Sequence, residues 1–512
     1  MPPPTRILFV TSNGTGLGHL TRSMAIARRL PASLEPLFIT FSAGAPVVRE
    51  QGFPVEYIAS YDRPGAGTDL SWTFRARDRL RRAVAEIEPS VVVFDGTHPY
   101  ERLLPALRST GAPLVWCRRA FWRPDADTAP LHRTHLFDAV LEPGELDPGA
   151  DRGPTAARRG EAHAVDPIVL LDRSELPDRA EAERALGLAP GRRNVLVQLG
   201  QGEGVRETTA RCLRRLAATE GVQVAALASS LATLDRPPEG VVALAPTYPI
   251  ARHFRAFDAA VSAAGYNAVH ELAGLGVPAL YIPIERQTDD QAARARAAEA
   301  RGIGLAAGGP ADPRIEARLE ELLDPGRVEA FASALADLGE WRGAQQAADW
   351  LAGLAAAAPA RQVGGGASAS AGVRLRRAWI FAASVPRTLT RVATQAARRP
   401  RIRVVVLALG LAAEEFERRA KAALAEAGEP PERVLVVTDR LEFRALLRAG
   451  AGFEHVPAAG ERQPELAGGS YEDFRRTRLE LIRARRPRPR RVVELARESP
   501  APPYPDRHGN PH

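Results

Sequence analysis

The sequence predicts an α/β protein: two doubly wound, Rossmann-like domains that face a cleft, followed by a smaller α/β domain. Three observations carry this. Apolar strand-like runs alternate with helical patterns from the N-terminus onward, as a parallel sheet with helices on both faces requires. The strand–loop–helix theme then restarts near residue 166. A Gly/Ala-rich stretch beyond residue 352 sets off a third block.

Each element is justified in turn. Arg6-Ile-Leu-Phe-Val-Thr11 reads as a strand, followed by a glycine-rich loop and a helix over Leu20–Leu30. Leu37-Phe-Ile-Thr-Phe41, Val91-Val-Val-Phe94 and Leu114-Val-Trp116 are further strands. In the second block, Asn194–Leu199 is a strand that ends in Gly200-Gln-Gly-Glu-Gly204 and leads to a helix. Val222–Leu227 and Val241–Leu244 follow as strands. Asp258–Ala264 is the next buried strand; a helix starts after Gly265 and closes at Gly276-Val-Pro278. Ala279-Leu-Tyr-Ile-Pro283 is the strand that leads to Asp290-Gln291. The third block shows strands at Arg403–Leu409, Val434–Val437 and Phe453–Val456, with helices at Glu414–Ala427 and Leu441–Arg448. It reads as half a sheet. The expected division is 1–165, 166–352, a flexible linker 353–373, a basic α/β domain 374–499 and a disordered tail 500–512.

Length and charge narrow the function. A chain of 512 residues is too long for one ordinary domain, and three suits it. Two distant cysteines, Cys117 and Cys212, form no metal or disulfide pattern, which suits a reducing compartment. The start lacks a signal-peptide pattern and no apolar run reaches membrane-spanning length. The net charge of +8 is uneven. Residues 362–512 hold 28 Lys+Arg against 17 Asp+Glu, and the rest hold 41 against 44. The front is therefore no nucleic-acid binder by charge.

Two motifs carry the chemistry. The first is Gly265-Tyr-Asn-Ala-Val-His-Glu271 with Asp290-Gln291 downstream. A glycine between strand and helix permits close backbone approach, and the free N–H groups of the helix start favour a diphosphate. Glu271, one turn further in, can accept hydrogen bonds from two ribose hydroxyls. Taken singly, Gly265 reads as a tight turn, Glu271 as a solvated helix face and Asp290 as a helix-start charge. Together they favour a nucleotide-sugar site. The second motif is Gly14-Thr-Gly-Leu-Gly-His-Leu-Thr-Arg22, which delivers His19 to a helix start. His19 can act as general base for a hydroxyl, and Asp95 at a strand end can orient it. Asp95 reads equally well as a strand-end turn residue.

These residues resemble the GT-B glycosyltransferases, particularly the lipid II synthase group, whose Gly-Thr-Gly-Gly-His loop is similar to Gly14–His19. The second motif resembles the plant-type signature Gly-Trp-Asn-Ser-x-x-Glu and its Asp-Gln pair. The resemblance covers about residues 5–350. It implies His19 as base with Asp95 as partner, and Gln201 and Gly202 along the diphosphate path. Asn267 would meet phosphate, Glu271 the ribose, and Asp290 and Gln291 the donor sugar. Gly16, Gly18, Tyr248, Gly265 and Tyr266 complete the expected donor side. Two departures stand out. Ala263 occupies the place of the plant signature's histidine, and the Glu271-to-Asp290 spacing is longer than in that signature.

The expected activity is transfer of a sugar, with inversion, from a nucleotide-diphosphate donor, UDP-linked by resemblance, to an acceptor hydroxyl. That acceptor is lipid-linked, a glycan or a small molecule. No cofactor and no metal are expected; Asp125-Ala-Asp127 reads as a turn in a Pro-flanked loop. A resemblance of Gly16–Arg22 to the UDP-sugar hydrolases of pseudaminic acid synthesis leaves hydrolysis as the alternative. A non-catalytic nucleotide-sugar scaffold is the third reading. The segment 374–403 is rich in Arg, lacks acidic residues and carries Trp379, Ile380 and Phe381. It reads equally as an interfacial segment on anionic lipid or as a solvated linker. The second Arg cluster, Arg483 to Arg491, reads as flexible. Nucleic acid is not expected as a partner. The expected location is cytoplasmic, peripheral on the inner face of the plasma membrane if that segment binds lipid.

Overall fold

A computed structural model describes residues 5–12, 17–61, 69–200, 204–227, 238–245, 247–357, 402–458, 471–483 and 489–495. The first sheet has seven strands, all parallel. They are β1 (Thr5–Thr11), β2 (Leu34–Thr40), β3 (Val55–Tyr57), β4 (Val91–Asp95), β5 (Leu114–Cys117), β6 (Ala139–Pro143) and β7 (His163–Val165). Their order is β3-β2-β1-β4-β5-β6-β7. Ile7, Leu8, Phe9 and Val10 of β1 are all buried, because helices cover both faces of a parallel sheet.

The second sheet is again parallel: β8 (Arg193–Gln198), β9 (Val222–Leu227), β10 (Val241–Leu244), β11 (Ala259–Ala263), β12 (Ala279–Ile282) and β13 (Gly304–Ala306). Its order is β10-β9-β8-β11-β12-β13. Each sheet therefore reverses direction once, between β1 and β4 and between β8 and β11. Ligands of open α/β sheets bind at such switch points, outside the carboxyl ends of the strands. The helix that carries His19 follows β1 and Asp95 ends β4; Gly265 follows β11. Both sequence motifs thus stand at switch points.

The helix Gly343–Ala357 runs past residue 352, into the stretch expected to be linker. It returns to the first domain, packing on the helix Gly18–Ala27 and on β7. Gly343 makes this return possible: a Cβ there would lie 1.9 Å from the Asp166 carbonyl oxygen. The remaining linker, most of the 374–403 segment and the tail 500–512 lie outside the described residues.

The third domain is more than half a sheet. It has four parallel strands, β14 (Val404–Ala408), β15 (Val434–Thr438), β16 (Gly452–His455) and β17 (Arg491–Glu494), in the order β16-β15-β14-β17. The Arg483-to-Arg491 cluster is thus partly structured: Arg483 ends the helix Tyr471–Arg483 and Arg491 opens β17. This domain docks against the β3 edge of the first sheet. Tyr57 stacks on Phe453 with ring centroids 5.2 Å apart. Arg79 bridges Glu56 (2.9 Å) and Glu454 (2.8 Å), and Arg478 reaches Glu56 and Glu86.

Candidate active site

His19 sits in the first turn of the helix Gly18–Ala27. Its Nδ1 lies 2.6 Å from Asp95 Oδ1. Parallel pairing sets this up, since the register places Thr11 opposite Asp95 and the helix that carries His19 follows β1. Arg22, one turn along the same helix, donates to Asp95 from Nε (3.0 Å) and Nη2 (2.5 Å). Burial alone would raise the Asp95 carboxyl, but the Arg22 charge and His19 outweigh it and hold the pKa below the usual carboxylate range. Burial lowers the His19 pKa below its ordinary value, against the pull of Asp95. The imidazole is therefore neutral near pH 7. An ionised Asp95 fixes the ring proton on Nδ1 and leaves the Nε2 lone pair for other chemistry.

The second-domain residues meet the helix that carries His19. Asn267 Nδ2 donates to the Gly18 carbonyl at 3.3 Å, while its Oδ1 is buried without a partner among the described residues. The hydroxyls of Thr21 and Tyr248 lie 2.8 Å apart. Gly265 caps the helix Tyr266–Gly274 with φ −69°. A Cβ on Gly265 would meet only Gln291 Nε2, at 3.8 Å, so the protein itself does not demand glycine there. Glu271 lies one turn in from Asn267, and burial pushes its carboxyl up to about 8.

Other expected residues also bond the scaffold through at least one group. The Tyr266 hydroxyl donates to the Gly144 carbonyl and accepts from Ile168 N–H, both at 3.0 Å. It ties the second domain to the segment that joins the two domains. Asp290 Oδ1 caps its helix by accepting from Ala293 N–H (2.9 Å). Gln291 Oε1 accepts from Ile284 N–H at 3.0 Å, leaving its Nε2 toward Gly265. Gly16, Gln201 and Gly202 lie outside the described residues. Asp125 is held by both arms of Arg123 (2.9 and 2.8 Å), and Asp127 accepts from Ala129 N–H, so both carboxylates serve the turn.

A buried ionic cluster joins the domains beside this site. Arg294 donates to both oxygens of Glu145 (2.9 and 2.7 Å) and to Asp289 (3.1 Å). Arg119, two residues past β5, donates to Asp289 at 2.9 Å. The two guanidinium charges overcome burial and hold Asp289 down to about 2. His270 accepts from Leu146 N–H at Nε2 and lies 2.7 Å from the Tyr266 carbonyl at Nδ1, so it is neutral and structural. A cleft of about 910 Å³ also opens between the loop at Arg123 and Asp125 and the loops at Gly204, Glu285 and Pro310. None of the described sequence-predicted residues lines it. The convergent chemistry lies at the switch points instead.

No family model matches the chain. The UDP-N-acetylglucosamine–N-acetylmuramyl-(pentapeptide) pyrophosphoryl-undecaprenol N-acetylglucosamine transferase of Clavibacter michiganensis is 29% identical over 374 residues, 69% of this chain and 98% of that one. The transferase of the same name from Nocardia farcinica is 29% identical over 376 residues, 68% of this chain and 94% of that one. Among solved structures, Acinetobacter baumannii MurG aligns with TM-score 0.47 at 16% identity, over 68% of this chain and 100% of that one. The chain resembles the lipid II synthase group of GT-B glycosyltransferases.

In the GT-B frame, the residues that sequence reasoning missed become visible. Arg22 stood inside the quoted Gly16–Arg22 pattern but carried no role of its own. Arg119, Glu145, Asp289 and Arg294 gave no local signal, because their partners come from distant parts of the chain.

Proposed function

We propose that the chain transfers a sugar from a UDP-linked donor to an acceptor hydroxyl, with inversion and without a required metal. The supporting observation is the buried His19–Asp95 dyad, whose helix accepts a hydrogen bond at the Gly18 carbonyl from Asn267 of the Gly265–Glu271 signature. The donor diphosphate would sit at the Tyr266 helix start, where free N–H groups favour an anion. Glu271 would receive the ribose, and Asp290 and Gln291 the sugar. His19 Nε2 takes the proton of the acceptor hydroxyl as its oxygen attacks the anomeric carbon. The bond to the diphosphate oxygen breaks with its electron pair, and backbone dipoles stabilise the charge that develops there. Asp95 stabilises the imidazolium that forms.

The relatives' names suggest N-acetylglucosamine as the sugar and a pyrophosphoryl-undecaprenol-linked acceptor, which would bring the chain to a membrane surface. Among the described residues no helix is long and apolar enough to cross a membrane.

The test uses UDP-N-acetylglucosamine and a muramyl-pentapeptide diphosphate lipid. His19→Ala is expected to lower kcat by at least about 100-fold, the usual worth of a general base, with donor affinity kept. Wild-type turnover in that variant would exclude His19 as base. Release of free sugar at catalytic rates without acceptor would mark a hydrolase. Turnover that survives chelation is the expected result for a metal-free mechanism.

A further inference from the structure

We propose that Arg119 is a diphosphate-binding residue, contributed by the first domain to the reaction centre and held in place by Asp289 of the second. This rests on the reading of the cleft as a nucleotide-sugar transfer site.

The argument begins with position. Cys117 pairs with Asp95 across β4 and β5, so Arg119 emerges at the cleft edge next to the base. Its charge acts on both the His19 imidazole and Asp289. Asp289 immediately precedes the Asp290-Gln291 pair. Arg119 therefore lies within electrostatic reach of the base and is bonded to the residue that precedes the groups expected to hold the transferred sugar.

The second step counts donors. Arg294 is fully buried and has committed all three nitrogens: Nε and Nη2 to Glu145, Nη2 also to Asp289, and Nη1 to the Ala264 carbonyl at 3.0 Å. Arg119 differs. Only its Nη1 is engaged, with Asp289. Its Nε and Nη2 meet no acceptor among the described residues, and 16% of the side chain is exposed. A guanidinium offers five N–H donors in a planar fork. One arm is anchored, and the other two nitrogens form the side-on pair that suits two phosphate oxygens. Anchoring by Asp289 restricts the side chain before any ligand arrives, which reduces the ordering cost of binding.

The third step is chemical. When the glycosidic bond breaks, its electron pair stays on the diphosphate oxygen and the negative charge there grows. The acceptor oxygen bonds to the anomeric carbon and its proton passes to His19. A fixed cation on the first-domain side would stabilise the growing charge opposite the helix start on the second. A diphosphate-bearing acceptor presents the same oxyanions, so the two sources share one recognition chemistry.

The test measures UDP binding by calorimetry, and kcat and KM for both substrates, in wild type, Arg119→Lys and Arg119→Met. If the donor supplies the diphosphate, Arg119→Met weakens UDP binding at least tenfold and Arg119→Lys less. If the acceptor supplies it, UDP binding holds and the acceptor KM rises at least tenfold. Wild-type values throughout in Arg119→Met overturn the proposal. Should Arg119→Met not fold, the charge-retaining Arg119→Lys carries the test, with loss of the fork as its readout. Failure of wild type to bind UDP would instead strike the reading of the cleft. Inorganic diphosphate titrated on the same proteins still reads Arg119 in that case, and equal binding by wild type and Arg119→Met overturns the proposal.

Discussion

Glu271 carries a pH signature that can be worked out before any substrate is known. Burial raises its carboxyl to about 8, so near pH 7 the group is mostly protonated in the free protein. Ribose hydroxyls that donate to the carboxylate favour its ionised form. Donor binding must then release a proton. Below about pH 8, affinity for UDP should rise with pH by less than tenfold per unit, and it should level off above. Glu271→Gln should bind more weakly at high pH and lose the slope. A flat profile in wild type between pH 6.5 and 8.5 would remove Glu271 from the ribose site. The His19 effect has the same sign but a lower midpoint. Its lowered pKa keeps the base neutral, so kcat at saturating donor, where Glu271 is already ionised, should fall only on the acid side, through a pKa below the ordinary histidine value. An acid limb centred above 6.5 would contradict the buried dyad.

At the scale of elements, the return of the Gly343–Ala357 helix to the first domain depends on one missing side chain. Gly343→Ala places a Cβ 1.9 Å from the Asp166 carbonyl oxygen, and neither backbone can move without shifting a packed helix. The expected cost is on the order of 1–3 kcal/mol, read as a lower urea midpoint. An unchanged midpoint would mean that the segment joining the domains yields easily. This contact was invisible in the sequence, where Gly343 is one glycine among 43. Among the strands legible in the sequence, β1, β4, β8 and β11 are largely apolar runs buried on both faces. The three-residue strands β3, β7 and β13 are too short for a periodic pattern. β17 begins with Arg491 and is largely exposed, so it reads as a charged loop. The site shows the same divide. His19 and Gly265–Glu271 were readable because glycines and polar groups interrupt apolar runs there. The cluster of Arg119, Glu145, Asp289 and Arg294 is made by tertiary folding alone.

For the whole molecule, the third domain is joined to the transferase body by buried charges as well as by rings. Arg79 is almost fully buried and links Glu56 of the first domain to Glu454 of the third. Arg478 returns the link from the third domain to Glu56 and Glu86. Such buried pairs are screened little by salt, so raised ionic strength should not release the domain. Removing one partner is a different matter, because the remaining carboxylates lose a cation they cannot replace from water. Arg79→Met should therefore destabilise the protein by a few kcal/mol. The loss should appear first as faster hydrogen exchange in β3 and β16, the strands on either side of the junction. His19 and Asp95 lie on the other side of β1 and β2 from this edge, so turnover per folded molecule should stay within about twofold of wild type. Unchanged exchange in both strands would show that the junction does not depend on the Arg79 bridge. A large drop in kcat with β3 protection intact would instead show that the third domain communicates with the His19 site.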